Sequence, residues 1–515
     1  MTPLIEQDFG LITDLIHQHA VDAPQRLALM EGQHTLSYAA LDALMDRIAA
    51  SLQRDGLHAG DAIAICASMS VDYAALFLGA LRAGVVVAPL APGSTPDSLA
   101  RMVSDCRPRL LFMDAPGALT LAAAQDAPSG IPLVALDACA TGRPFQAWLA
   151  PPRTQPAAVQ IGPDAAFNII YSSGTTGEPK GIVQPHGMRW AHVRRGRTYG
   201  YGPQAVTLLS TPLYSNTTLV VFFPTLAFGG TVALMPKFDA GAYLQLAQSL
   251  RVTHTMLVPV QYQRLMARAD FDAHDLSSFH MKFSTSAPFS KAVKADVLKR
   301  WPGGLVEFYG MTEGGGTCIL EAHLHPDKLH TVGRPAEGHD IRLIDDDGRE
   351  LPAGQTGEVV GHSPGMMTGY YGRPEKTRDA EWFAQDGKRF IRTGDVGRFD
   401  EQGFLTLMDR KKDMIISGGF NIYPSDLEAV LREHPAVADV AVVGMPSEQW
   451  GETPVAFVVP RDGAQAPAQL LQDWANQRVG KTQRVSALHL VDELPRSPIG
   501  KILKRELRER HASAN

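Results

Sequence analysis

Cysteine is scarce here. Cys66, Cys106, Cys139 and Cys318 are the only four in 515 residues, and no two stand at CxxC spacing. That excludes a disulfide framework and a structural zinc site, and it suits a reducing compartment such as the cytoplasm. An excess of one charge is also missing. The 48 basic and 54 acidic residues leave a net charge of −6, without the basic domain of a nucleic-acid binder and too dilute to imply a basic partner. Long apolar runs are limited to the 18 uncharged residues from Leu219 to Pro236. Pro224 and the Gly229-Gly230 pair interrupt them, which predicts a buried helix, a turn and a core strand and no membrane span. The chain opens without a basic run followed by an apolar core, so no secretory leader is expected. No HExxH occurs. His323, His325 and His330 lie near Glu321 and Asp327 in a proline-interrupted stretch without helical spacing, which predicts a solvated loop and no metal site.

What is present is a long globular chain. At 515 residues it exceeds what one hydrophobic core organises, so two or more domains are expected. Leu41, Leu44, Ile48 and Leu52 recur at helical spacing, and the apolar run Ala62–Cys66 follows a Gly60-Asp61 turn. A second helical pattern over 73–82 ends at Gly84, before the buried-type strand 85–90. Strands alternating with helices predict layered α/β architecture with parallel strands. The four prolines of 150–163 mark a loop or subdomain boundary. A helix over 291–301 precedes a strand over 305–309. Past the charge cluster Arg410-Lys411-Lys412-Asp413 the pattern becomes that of a compact α+β unit.

The segment Tyr171-Ser-Ser-Gly-Thr-Thr-Gly-Glu-Pro-Lys-Gly181 gathers hydroxyls, glycines and a lysine directly after a strand pattern. Its glycines let the backbone turn N–H groups toward an anion. Ser172, Ser173, Thr175 and Thr176 offer hydroxyl donors, and Lys180 a cation. Pro179 stands where a Walker A loop needs its second glycine, so this is a different phosphate loop.

The segment resembles the nucleotide loop of the adenylate-forming superfamily: acyl-CoA synthetases, adenylation domains of peptide synthetases and firefly-type luciferases. Other stretches are similar to that family in the same order. Tyr309-Gly-Met-Thr-Glu313 resembles its adenine and magnesium motif, Thr393-Gly-Asp395 its ribose segment, and Arg410 its ribose-proximal arginine. Ser417-Gly-Gly-Phe-Asn-Ile-Tyr-Pro424 resembles the loop that rotates into the site, and Pro495-Arg-Ser-Pro-Ile-Gly-Lys501 the catalytic-lysine motif. The matches run from residue 171 to residue 501.

The resemblance implies an N-terminal adenylation domain over 1–410 of layered α/β subdomains. It implies a hinge at 411–412, at Lys412, and a small mobile α+β domain over 413–515. ATP would be held by Ser172, Ser173, Gly174, Thr175, Thr176, Gly177, Lys180, Tyr309, Gly310, Met311, Thr312, Asp395, Arg410 and Lys501. Catalysis would rest on Lys501, Glu313 and Thr176, with Glu313 binding Mg²⁺. A carboxylate attacking an α-phosphate brings two anions together, so cations are needed where charge builds up.

The acid and the acceptor rest on finer features. The segment Thr211-Pro-Leu-Tyr-Ser-Asn216 has no carboxylate to pair with an α-amine, which disfavours amino acids, and carries Ser215 where many aryl- and acyl-CoA synthetases have histidine. Family position makes Trp190, Tyr214, Ser215, Val258, Ser286, Gly310 and Met311 the acyl-pocket candidates, and their apolar surroundings point to a fatty, aryl or arylalkanoic acid. Coenzyme A is the expected acceptor. Only 14 residues follow Lys501, too few for a carrier domain, and Ser417, Gly418, Gly419 and Trp450 are the CoA-facing candidates. A stand-alone ligase loading a separate carrier protein is the alternative, and a homodimer is compatible with the resemblance.

Overall fold

The computed structural model describes residues 3–138, 141–172, 179–410, 413–417, 420–447, 451–464, 466–480, 483–497 and 500–512. They form two compact units. One comprises Met1–Leu329, Pro335–Asp340 and Gly361–Ile391; the other comprises His330–Arg334, Ile341–Val360 and Arg392–Asn515. The long run of the second unit thus starts ahead of the 410–413 boundary read from the sequence. Within it the backbones of residues 395–399 and 405–410 pair as a hairpin, with Asp395 opposite Arg410.

The first unit is built on two sheets. In one, the strands Leu110–Met113, Ala62–Cys66, Val86–Leu90 and Ala166–Ser172 run parallel, and Lys180–Pro185 returns antiparallel against Ala166–Ser172. In the other, Leu27–Glu31, Thr231–Leu234, Val206–Leu209, His254–Leu257, Met281–Ser284 and Gly304–Gly310 are parallel neighbours, closed by the antiparallel Thr317–Glu321. Helices cover the strands, as parallel sheets require. Several begin where a serine caps them. Ser37 Oγ accepts from Ala40 N ahead of Tyr38–Arg54, and Ser70 Oγ accepts from Tyr73 N ahead of Val71–Arg82, which starts the second helix before the apolar pattern does.

The uncharged stretch folds as a helix, Asn216–Ala227, a turn at Gly229 with φ +82°, and the strand Thr231–Leu234. Pro224 does not break that helix, contrary to expectation. Nearly every residue from Thr217 to Ala227 is buried, so tertiary packing outweighs one lost backbone bond. Thr225 Oγ1 also donates to the Val221 carbonyl at 2.7 Å, within the same turn. Among the described residues, no helix is long and apolar enough to cross a membrane.

Two buried polar groups give stability predictions. Lys294 Nζ lies 2.5 Å from Glu307 Oε2, both side chains almost fully buried. Lys294→Met would leave a carboxylate without its cation in a low-dielectric interior, and should cost about 3–5 kcal/mol in chemical denaturation. Lys294→Met combined with Glu307→Leu should recover most of that loss. His254, 1% exposed, donates from Nε2 to the Tyr199 carbonyl at 2.8 Å and stacks on Tyr201. Burial holds its pKa at about 4. The folded state then binds fewer protons than the unfolded chain between about pH 6.5 and pH 4, so stability present above that window is lost as the pH falls through it, by up to about 3 kcal/mol. Urea denaturation at a series of pH values should show that slope, and His254→Asn should flatten it.

The second unit carries an antiparallel sheet in which Gly451–Pro460 pairs with Val437–Ser447 and, through Ser417 opposite Gly451, with Ile415–Ser417. Ala487–Leu490 joins it in parallel. The helices Pro424–Arg432 and Ala468–Asn476 bury Leu427, Leu431, Leu471 and Ala475 against one face, and Leu507 of Lys504–Ala512 packs with Val443, Val455 and Phe457 on the other.

Candidate active site

The antiparallel pairing of Ala166–Ser172 with Lys180–Pro185, Ser172 opposite Lys180, puts the phosphate-loop segment at the tip of a hairpin. Ser173, Gly174, Thr175, Thr176, Gly177 and the Ser172 side chain lie outside the described residues. The side chains beside that tip are described. The short strand Gly369–Tyr370 pairs with Lys180–Pro185 and brings Tyr370 under Lys180, whose Nζ is 5.2 Å from the ring centroid. The Tyr370 hydroxyl donates to Glu313 Oε1 at 2.8 Å, and Met367 N donates to the Glu313 carbonyl at 2.8 Å. Burial, with the Glu313 carboxylate beside it, holds the Tyr370 phenol well above its ordinary value, so it is a donor at any physiological pH.

Glu313 reaches this point because the chain turns sharply after it. Gly314 and Gly316 take φ of +74° and +86°, and a Cβ on Gly314 would collide with the Gly365 carbonyl. Ser363 Oγ donates to Gly314 O at 2.7 Å and ties the turn down. Thr312 presents its carbonyl to Gln184 Nε2 at 2.7 Å, and the same amide reaches Asn216 Oδ1 at 3.4 Å. Tyr309 and Gly310 sit at the end of the strand Gly304–Gly310, opposite Cys318 and Thr317. Met311 packs on the cluster of Ile182, Met367, Tyr370 and Ile391.

The acyl-pocket candidates divide. Ser215 caps the helix Asn216–Ala227, its Oγ accepting from Thr217 N, and Thr217 Oγ1 is 2.5 Å from Ser286 Oγ. Ser286 has φ +80°, a rare conformation for a residue with a side chain and a form of strain that clusters at functional sites. Tyr214 is half-buried, its phenol pushed up to about 12 by burial and then by Cys66. Val258, buried, stands before the helix Pro259–Met266 with its N–H donating to Gln261 Oε1. Trp190 is 1% exposed; its indole N–H donates to Gln7 O at 3.0 Å, and its ring meets Phe9 edge-on within the buried core.

In the second unit, Thr393 Oγ1 donates to Val359 O and accepts from Asp395 N, fixing the backbone of the ribose-segment candidate. Arg410 is opposite Asp395 in the ladder, with its side chain outside the described residues. Ser417 is buried on the strand Ile415–Ser417, while Lys412, Gly418, Gly419 and Trp450 lie outside the described residues. Lys501 sits on a turn with Gly500 at φ +78°. Its backbone N–H donates to Ser497 Oγ and its carbonyl accepts from Ser497 N. Arg496 donates to Gly500 O while pairing with Asp439. The helix begins only at Lys504, so Lys501 belongs to the turn and not to the basic helix.

Sequence reasoning missed Tyr370 and Gln184. Nothing in their local pattern distinguishes them from ordinary core residues; their roles come from a strand pairing and a cross-chain contact.

Comparison with known proteins places these features. The chain matches the AMP-binding enzyme family over residues 16–371 and the AMP-binding enzyme C-terminal domain over residues 426–501. It is 33% identical to an indoleacetate–CoA ligase of Aromatoleum aromaticum, across 97% of this chain and 98% of the relative. It is 32% identical to the fatty acid–[acyl-carrier-protein] ligase ScoC of Streptomyces coeruleorubidus, across 96% and 95%. The amide bond synthetase McbA of Marinactinospora thermotolerans superposes with a TM-score of 0.86 at 28% identity, covering 97% of this chain and 99% of its own. The chain belongs to the AMP-binding enzyme family, and it is an adenylate-forming ligase of the acyl-CoA-synthetase kind.

Proposed function

We propose that this enzyme joins an aryl, arylalkanoic or fatty acid to coenzyme A, forming an acyl-adenylate and pyrophosphate from ATP and then an acyl-CoA thioester and AMP. The observation that carries the reading is the gathering of Lys180, Tyr370 and Glu313 beside the hairpin tip. A cation and an oriented carboxylate stand next to a loop rich in phosphate donors. Among the described residues no three His, Cys, Asp or Glu side chains converge on a metal position. A single carboxylate, Glu313, fits Mg²⁺, which habitually takes one or two carboxylates and completes its shell with substrate phosphates and water. When bound, such an ion would neutralise phosphate charge.

The remaining work falls to the chain's own groups. Lys180 and the loop hydroxyls of Ser172, Ser173, Thr175 and Thr176 bind phosphate oxygens. Tyr309, Gly310, Met311 and Thr312 flank the adenine, and Asp395 with Arg410 orients the ribose. Lys501 supplies its ammonium between the carboxylate and the α-phosphate as the bond forms. Tyr214, Ser215, Val258 and Ser286 shape the acyl pocket. Rotation about Lys412 exchanges Lys501 for Ser417, Gly418, Gly419 and Trp450, which face the thiol. We place the enzyme in the cytoplasm, and sedimentation would read whether it is the expected homodimer.

The test is pyrophosphate release with a panel of carboxylic acids, with and without CoA. Aromatic or fatty acids should release pyrophosphate, and CoA should liberate AMP. The relative that charges a carrier protein makes carrier loading the second reading; adenylate that persists with CoA but clears with holo-carrier protein would select it. Absence of acid-dependent pyrophosphate from every acid would end the ligase reading for this chain.

A further inference from the structure

The helix His186–Arg195 sets three basic side chains, Arg189, His192 and Arg195, at successive three-residue steps on one face. No carboxylate pairs with any of them among the described residues. Arg189 is 1% exposed, lies over the Phe167 and Phe223 rings and spends one nitrogen on Gln184 Oε1 and Asn168 Oδ1, while its Nε and Nη1 have no hydrogen-bond partner. His192 Nδ1 is likewise buried and unpartnered. Buried donors are almost always satisfied, so orphans on one face call for an explanation.

The fourth group makes the deficit specific. Thr317 N–H donates to His339 Nδ1 at 2.8 Å, which requires the ring proton on Nε2 in the neutral imidazole. His339 Nε2 then faces Arg195 Nη2 at 3.3 Å, donor against donor. An acceptor placed between them would satisfy both. His192, Arg195 and His339 all keep some accessible surface. Burial first, and then the neighbouring positive charges, push His192 well down and His339 to about 4.

The location connects the cluster to the acyl pocket. Thr317 is the strand partner of Gly310. Tyr199, one helical turn past Arg195, meets Phe283 and Phe308 edge-on at 5.1 and 5.9 Å, so an aromatic cluster lies one turn from Arg195. We infer that Arg195, His192 and His339 form a receptor for a second carboxylate at the far end of an aromatic acid substrate, with Arg189 behind them contributing positive potential. This deepens the ligase reading and rests on it.

Paired acids test it. Para-carboxyphenylacetic acid is compared with para-methylphenylacetic acid, and adipic with hexanoic acid, in pyrophosphate release. The expected kcat/KM ratio favours the diacid of the aromatic pair by about tenfold or more, the effect of a charge-assisted hydrogen bond. Arg195→Met should bring that ratio to about one through KM, and Arg195→Lys should restore part of it. Isothermal titration of the unmodified chain with the same acids needs no turnover and separates this proposal from the ligase reading. Tighter binding of the diacid that weakens with salt supports it. Equal or weaker binding of the diacid, or a preference that Arg195→Met and His339→Phe leave unchanged, overturns it.

Discussion

Lys501→Ala should lower acid-dependent pyrophosphate release by about 10²–10³-fold, the loss seen when one preorganised donor to a developing anion is removed. The same variant should convert preformed acyl-adenylate and CoA to thioester at close to the unmodified rate. The physical argument is that two anions approach in the first half-reaction and only one electrophile and one thiol in the second. The substitution is also a clean one. The turn holding Lys501 is built from its backbone, through Ser497, and from Arg496 on Gly500, so alanine keeps it. Circular dichroism and an unchanged denaturation midpoint would verify that. A variant that adenylates normally but fails in thioesterification would assign Lys501 to the other step.

Glu313→Gln should reduce kcat/KM for pyrophosphate release by about 10²-fold or more, since neutralising a carboxylate that binds a phosphate-bridging cation removes transition-state charge stabilisation. The Mg²⁺ concentration giving half-maximal rate should rise with it. Tyr370→Phe removes one hydrogen bond to that carboxylate, worth about 1.5–3 kcal/mol at most, so a loss of about ten- to a hundredfold is expected and in the same direction. Because Tyr370 acts through Glu313, the double variant should be little worse than Glu313→Gln alone. Additive losses would mean that Tyr370 has a separate task, and an unchanged Mg²⁺ dependence in Glu313→Gln would remove Glu313 from metal binding.

Much of the local structure was legible because its causes are local. The helix Tyr38–Arg54 and the strand Ala62–Cys66 follow from apolar spacing and a glycine turn. Pro224 was misread because its rule describes an isolated helix, whereas this one is buried along nearly its whole length. Trp190 was named from family position, which says where a residue lies along the chain; its contacts with Gln7 and Phe9 come from the N-terminus and no local pattern shows them.

By itself the sequence pointed to the ligase chemistry, because phosphate binding and charge neutralisation demand particular residue types in short, ordered segments, here proposed to be the hydroxyl-rich loop at 171–181, Glu313, Asp395 and Lys501. Only the tertiary structure decided what surrounds them. Tyr370 reaches Glu313 through strand pairing, Gln184 ties the Thr312 carbonyl to Asn216, and Arg189, His192, Arg195 and His339 gather with several ring and guanidinium nitrogens unsatisfied among the described residues. Orientation, burial and the lack of a partner are relations between distant residues, and no local pattern encodes them.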